Sequence, residues 1–62
     1  MNRVSITEQI RAVEREIAMR RRVYPAWIRN GRMTQRKADD EIAAMRAVLE
    51  TLCKVQQSER LL

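Results

Sequence analysis

Tyr24-Pro25-Ala26-Trp27-Ile28-Arg29-Asn30-Gly31-Arg32-Met33-Thr34 decides the fold of this 62-residue chain, because it holds the only proline and the only glycine. Proline has no amide hydrogen and disfavours helical geometry in the residue before it, so a helix arriving from the N-terminal side is expected to stop or kink near Val23 and Tyr24. Pro25 to Arg29 then read as one short helical turn, since proline suits a first helical position and Asn30-Gly31 tolerates positive φ at its end. Gly31 is the expected pivot.

The sequence on either side has helical periodicity. Ile6, Ile10, Val13, Ile17 and Tyr24 form one apolar stripe, and Ala38, Ile42, Met45, Leu49 and Leu52 form a second. Both use the alternating spacing of three and four residues that one face of a helix requires. Ser5 followed by Glu8 matches a capping box, and Thr34 with Met33 and Ala38 suits an N-cap with a modest hydrophobic staple. The expected fold is therefore all-α: an antiparallel two-helix hairpin over about residues 6–24 and 34–58 with a Pro/Gly corner, in one domain spanning 1–62. Residues 1–4 and 59–62 are expected to fray. Folding back near residue 29 would set Ile17 beside Glu41 or Ile42, Val13 beside Met45, Ile10 beside Leu49, and Ile6 beside Leu52.

Size and composition narrow the function. Only 14 residues are Val, Ile or Leu, Phe is absent, and Tyr24 and Trp27 are the only aromatics, so the core must be aliphatic and thin. A chain this short is an unlikely two-substrate enzyme. Without histidine, and with Cys53 as its single cysteine, it lacks an imidazole base, an intrachain disulfide and a Cys/His zinc cluster. Asp39, Asp40 and Glu41 are consecutive on a helix, so their side chains diverge rather than converge on one cation. No catalytic residue, cofactor or metal is therefore expected, and Cys53 reads as a packing residue beside the seam. No apolar stretch approaches the roughly 18 residues of a spanning helix, and no secretory signal is visible. A cytoplasmic, membrane-free protein is the expectation.

Beside its main stripe the second helix carries Val48 and Val55, which with Met45 and Leu52 make its apolar face wider than one neighbouring helix would cover. Self-association into a four-helix bundle, most simply as a two-fold homodimer, follows from that width. Ile10, Val13, Ile17, Ile42, Met45, Val48, Leu49, Leu52 and Val55 are the candidate core or dimer seam.

Charge is concentrated at the corner. Residues 20–37 hold seven cations and no acid, whereas the other 44 residues hold six cations and eight acids, giving +5 overall. Arg22, Trp27, Arg29, Arg32, Arg36 and Lys37 are the candidate partner-binding residues. The patch could attract an acidic protein or nucleic acid, or be ordinary solvated charge. Asp39, Asp40 and Glu41 lie opposite Arg20 to Arg22 and could answer three of the cations. An arginine at position 20 or 21 interrupts the apolar stripe and is expected to pair across the hairpin with Asp39 or Glu41. Trp27 reads first as a cap over the open core end with Tyr24, Ile28 and Met33; marked exposure would instead favour binding.

The runs Glu16-Ile17-Ala18-Met19-Arg20-Arg21-Arg22-Val23-Tyr24-Pro25-Ala26-Trp27-Ile28, Gly31-Arg32-Met33-Thr34 and Ala38-Asp39-Asp40-Glu41-Ile42-Ala43-Ala44-Met45 resemble small uncharacterised helical proteins encoded by bacterial phages and prophages, over about residues 8–52. That resemblance implies a phage or prophage product in a bacterial cytoplasm and carries no activity with it. The expected function is a non-enzymatic interaction protein that self-associates and binds a bacterial or phage protein. The alternative is a small nucleic-acid-binding protein that uses the arginine-rich corner without base-specific readout.

Overall fold

The computed structural model describes residues 3–61, which form two helices, α1 (Ile6–Arg29) and α2 (Gln35–Leu61), packed as an antiparallel hairpin. α1 begins where Ser5 adopts an extended conformation and its hydroxyl accepts the Glu8 N–H at 3.1 Å, supplying a partner to an amide that the first helical turn leaves unbonded. α2 begins the same way: Thr34 Oγ1 accepts the Lys37 N–H at 3.0 Å.

α1 does not stop at Tyr24. It continues through Pro25 to Arg29, so the proline lies inside the helix and the separate turn over residues 25–29 is absent. Pro25 forfeits one backbone bond, to the Arg21 carbonyl, and its ring crowds the preceding turn, a cost of about 3 kcal/mol in a helix interior. Continuing keeps Tyr24 and Ile28 on the stripe that begins with Ile6, and Tyr24 is buried while Pro25 itself faces solvent. Packing of that stripe outweighs the local preference of proline.

Gly31 ends the helix. With φ of 73° it occupies the left-handed region, the Gly31 N–H donates to the Ile28 carbonyl at 3.1 Å, and the Arg32 N–H donates to the Trp27 carbonyl at 2.8 Å. These two bonds constitute a Schellman motif, in which a left-handed residue turns the chain so that the last carbonyls are satisfied from beyond the helix. The corner is therefore the short segment 30–34, built on Gly31 alone.

Moving the corner moves the register. Arg20 reaches Glu41 at 3.4 Å, and Gln56 Nε2 donates to Thr7 Oγ1 at 3.1 Å, both pairs being centred near Gly31 rather than residue 29. The two stripes are thus offset by about one helical turn from the expected facing pairs. The stripes still meet, because an apolar residue recurs on each at every turn.

α2 runs through Leu61, so residues 59–61, expected to fray, are helical; no proline or glycine interrupts the bonding of amides to carbonyls four residues back. Arg3 and Val4 form a bend, and Met1, Asn2 and Leu62 lie outside the described residues. The hairpin measures 48 × 18 × 16 Å. Its radius of gyration of 14.5 Å exceeds the about 11 Å of a compact chain of this length. Among the described residues only Ile17, Tyr24 and Ala38 are buried.

A methyl group at Gly31 would meet no atom within 4 Å, so only backbone strain opposes a side chain there. Gly31→Ala is expected to lower the unfolding free energy by about 1–2 kcal/mol in urea titrations, and Gly31→Asn by distinctly less, because asparagine tolerates the left-handed region. Equal losses would show that the turn does not depend on this conformation.

Candidate functional site

The two broad faces of the hairpin differ in charge and shape. The first is lined near the corner by Met19, Val23, Trp27 and Met33, with Glu16, Arg20 and Glu41 crossing it, around a shallow hollow of about 340 Å³. Val48 and Val55 follow Glu41 by seven and fourteen residues, so they extend the same face along α2. The large apolar side chains here are only partly covered: Met19, Trp27, Val48 and Val55 remain 38, 39, 46 and 43% exposed.

Charges on this first face are paired. The Arg20 guanidinium donates to Glu16 at 2.8 Å, its closer contact, and reaches Glu41 at 3.4 Å, while Lys37 lies 3.0 Å from the other Glu41 oxygen. These two cations and two carboxylates balance, while Arg32, over the Trp27 ring at the corner end, has no ion pair among the described residues. The expected cross-hairpin pair is therefore present, between Arg20 and Glu41. Hydrogen bonding and attraction from Lys37, with a further contribution from Arg20, hold the Glu41 carboxyl below its ordinary value. The Lys37 ammonium is correspondingly raised, chiefly by its hydrogen bond to Glu41, and the Arg20 guanidinium is raised chiefly by its hydrogen bond to Glu16.

The second face is an open groove of about 1190 Å³. Tyr24, Ile28, Ala38, Ile42 and Leu49 provide its apolar floor, Arg21, Pro25 and Arg29 one wall, and Ala43, Arg46, Ala47, Glu50 and Cys53 the other. Arg21, Arg29 and Arg46 form no ion pair among the described residues, whereas Glu50 is engaged by Lys54 at 3.3 Å and Asp39 accepts Gln35 Nε2 at 2.9 Å. Cys53 is exposed at the groove wall rather than packed beside the seam.

The corner residues distribute unevenly. Of Arg20 to Arg22 only Arg20 finds an acid across the hairpin; Arg21 and Arg22 remain without an ion pair among the described residues, so the acids at 39–41 answer one of these three cations. Lys37 is tied to Glu41 within α2 and is the least available of the candidate binding cations. Arg22, Arg29 and Arg36 are exposed, and Arg32 lies over the Trp27 ring at 5.8 Å. That contact places Arg32 where a Schellman motif usually has an apolar residue against the last turn. Trp27 also packs against Tyr24, ring centroids 5.7 Å apart, so it covers the core end on one side and meets solvent on the other.

The candidate seam divides as well. Ile10, Val13, Ile17, Ile42, Met45, Leu49 and Leu52 are buried or half-buried, while Val48 and Val55 are left outside. Arg46, Ala43 and Ala47 were not singled out from the sequence, and Arg21 was considered only for a pair across the hairpin, although Arg21, Pro25 and Arg29, like Ala43 and Ala47, stand at helical spacing and so share faces. Among the described residues no group of three or more His, Cys, Asp or Glu side chains could hold a metal ion, and no helix is long and apolar enough to cross a membrane. Protein-family models, curated proteins and solved structures give no match to this chain.

The lowered Glu41 value fixes the sign of a pH effect. Its contribution to stability is complete above the ordinary value of 4.5 and is lost as the pH falls through its lower folded value. The decrease in thermal midpoint between neutral and strongly acid solution should therefore be smaller in Glu41→Gln than in the parent chain. An equal decrease in both would remove Glu41 as a source of acid sensitivity.

Proposed function

We propose that this chain is a non-enzymatic interaction protein of the phage or prophage kind, which pairs with a second copy of itself and presents arginines to an acidic surface of a bacterial or phage protein. One observation carries the pairing. The hairpin exposes 5205 Å². A compact monomer of its 7.4 kDa mass would expose about 4200 Å². The excess of about 1000 Å² is comparable to the roughly 800 Å² that each partner contributes to a stable interface.

Charge selects the face. Apposing two copies through the face that bears Met19, Trp27, Val48 and Val55 brings together apolar side chains and ion pairs that already cancel. Apposing the grooves would bring unpaired arginines against each other. A two-fold pair through the first face completes a four-helix bundle and leaves the groove arginines Arg21, Arg29 and Arg46 outside. With +5 per chain, a dimer attracts acidic partners over several ångströms of solvent, which favours fast encounter.

A second reading, a small nucleic-acid-binding protein with no sequence preference, draws on the same arginines and on the half-exposed Trp27 beneath Arg32. Polyanion binding of that type weakens steeply with salt and is strongest at low ionic strength.

Val48→Asp combined with Val55→Asp is expected to halve the mass measured by light scattering while leaving the circular-dichroism helix signal in place; an unchanged mass would exclude these valines from the interface. Reversing Arg22, Arg29 and Arg32 to Glu tests the two readings of the corner. If generic duplex or single-stranded probes bind the parent chain at low salt and not this variant, the nucleic-acid reading prevails. No binding by the parent chain leaves the protein-partner reading.

A further inference from the structure

Resting on the reading of the chain as an interaction protein, we infer that the groove between α1 and α2 is a receptor for a single amphipathic α-helix of another protein, one whose apolar stripe is flanked by Asp or Glu. The shape fits a helix. Its lining runs from Gln35 to Cys53 along α2, about 27 Å or five helical turns, and from Arg21 to Arg29 along α1, about 12 Å. Its floor offers the apolar side chains of Tyr24, Ile28, Ile42 and Leu49, the chemistry that the apolar face of a docked helix covers. On the α2 wall the exposed residues at 43 and 47 are both alanine, so a helix axis can approach more closely there than long side chains would allow.

Charge identifies the occupant. Of the groove's two carboxylates Glu50 is paired with Lys54 and Asp39 is bonded to the neutral Gln35 amide, whereas Arg21 and Arg29 on one wall and Arg46 on the other have no ion pair among the described residues. Three guanidiniums without an ion pair thus outnumber the one carboxylate, Asp39, whose partner is the neutral Gln35 amide, and they stand on both sides of an apolar floor. A second copy of this chain would oppose arginine to arginine. A nucleic acid would satisfy the guanidiniums but leave the aliphatic floor without a partner. An acidic amphipathic helix answers both features: its apolar side chains cover the floor while carboxylates on its two flanks reach the guanidiniums at the rims, where bidentate pairing is available.

The test uses the full chain and three fluorescent 18-residue peptides of about five turns. One has a leucine stripe flanked by glutamates, one has the same stripe flanked by lysines, and one has the acidic composition with the stripe scrambled. Fluorescence anisotropy should show saturable binding of the first below about 100 µM, and at least about tenfold weaker binding of the other two. Ala43→Trp with Ala47→Trp should weaken the first peptide at least about tenfold by filling the approach. Reversing Arg21, Arg29 and Arg46 to Glu, all exposed and unpaired positions, should transfer preference to the lysine-flanked peptide and remains informative if the tryptophan variant misfolds. Failure of the acidic peptide to bind, equal binding of the scrambled peptide, or indifference to the charge reversal would each overturn the inference. Displacement of the bound peptide by a DNA duplex at low salt, in a reversal-sensitive manner and without any stripe dependence, would overturn it in favour of a nucleic-acid site. Light scattering on the same samples reports the dimer separately: the groove variants should retain it, and the Val48 and Val55 variant should bind peptide as a monomer.

Discussion

The left-handed conformation of Gly31 is the constraint on which the rest of the hairpin depends. It ends α1 through the Ile28 and Trp27 carbonyls, reverses the chain within a few residues, and so fixes which residues of the two helices face each other. From that register follow the Arg20 to Glu41 contact near the corner and the Thr7 to Gln56 bond near the open end. Displacing the turn by a single residue would rotate one stripe about 100° relative to its partner. The Arg20 site illustrates the consequence. A guanidinium occupies a place where the stripe calls for an apolar side chain, and it is tolerated because Glu16 and Glu41 both reach it at a partly solvated edge.

What the hairpin leaves uncovered is as informative as what it buries. Two helices in contact can each hide one strip, and these helices carry more apolar surface than one strip each. The remainder divides between a face crossed by the Glu16, Arg20, Lys37 and Glu41 ion pairs and a face on which Arg21, Arg29 and Arg46 have no ion pair among the described residues. The proposed self-association and the proposed capture of an acidic partner therefore use different surfaces of the same hairpin. The exposed valines at positions 48 and 55 belong to the first, and the alanines at positions 43 and 47 to the second.

Much of this arrangement was legible in the sequence. The helix stripes, the Ser5 and Thr34 caps, the pivot at Gly31 and the pairing of a position-20 arginine with Glu41 all follow from local rules that packing does not contradict. Pro25 misled because its cost is local and bounded, whereas the benefit of continuing α1 is spread over Tyr24 and Ile28, and a propensity argument sees only the first. The facing register went wrong for the same reason, since a corner begun at Pro25 folds back too early. The groove could not be read in advance. Its walls come from residues some twenty positions apart, and whether an arginine is answered depends on the register and on local competitors, as Lys37 and Gln35 show by occupying Glu41 and Asp39.

The central claim is that a hairpin this incompletely buried is completed by a second copy of itself. Sedimentation equilibrium of the unaltered chain at tens of micromolar, across a range of salt, tests it most directly. The account predicts twice the 7.4 kDa chain mass, held at high salt because the proposed interface rests on apolar side chains rather than on ion pairs between copies. A mass of 7.4 kDa throughout would contradict it.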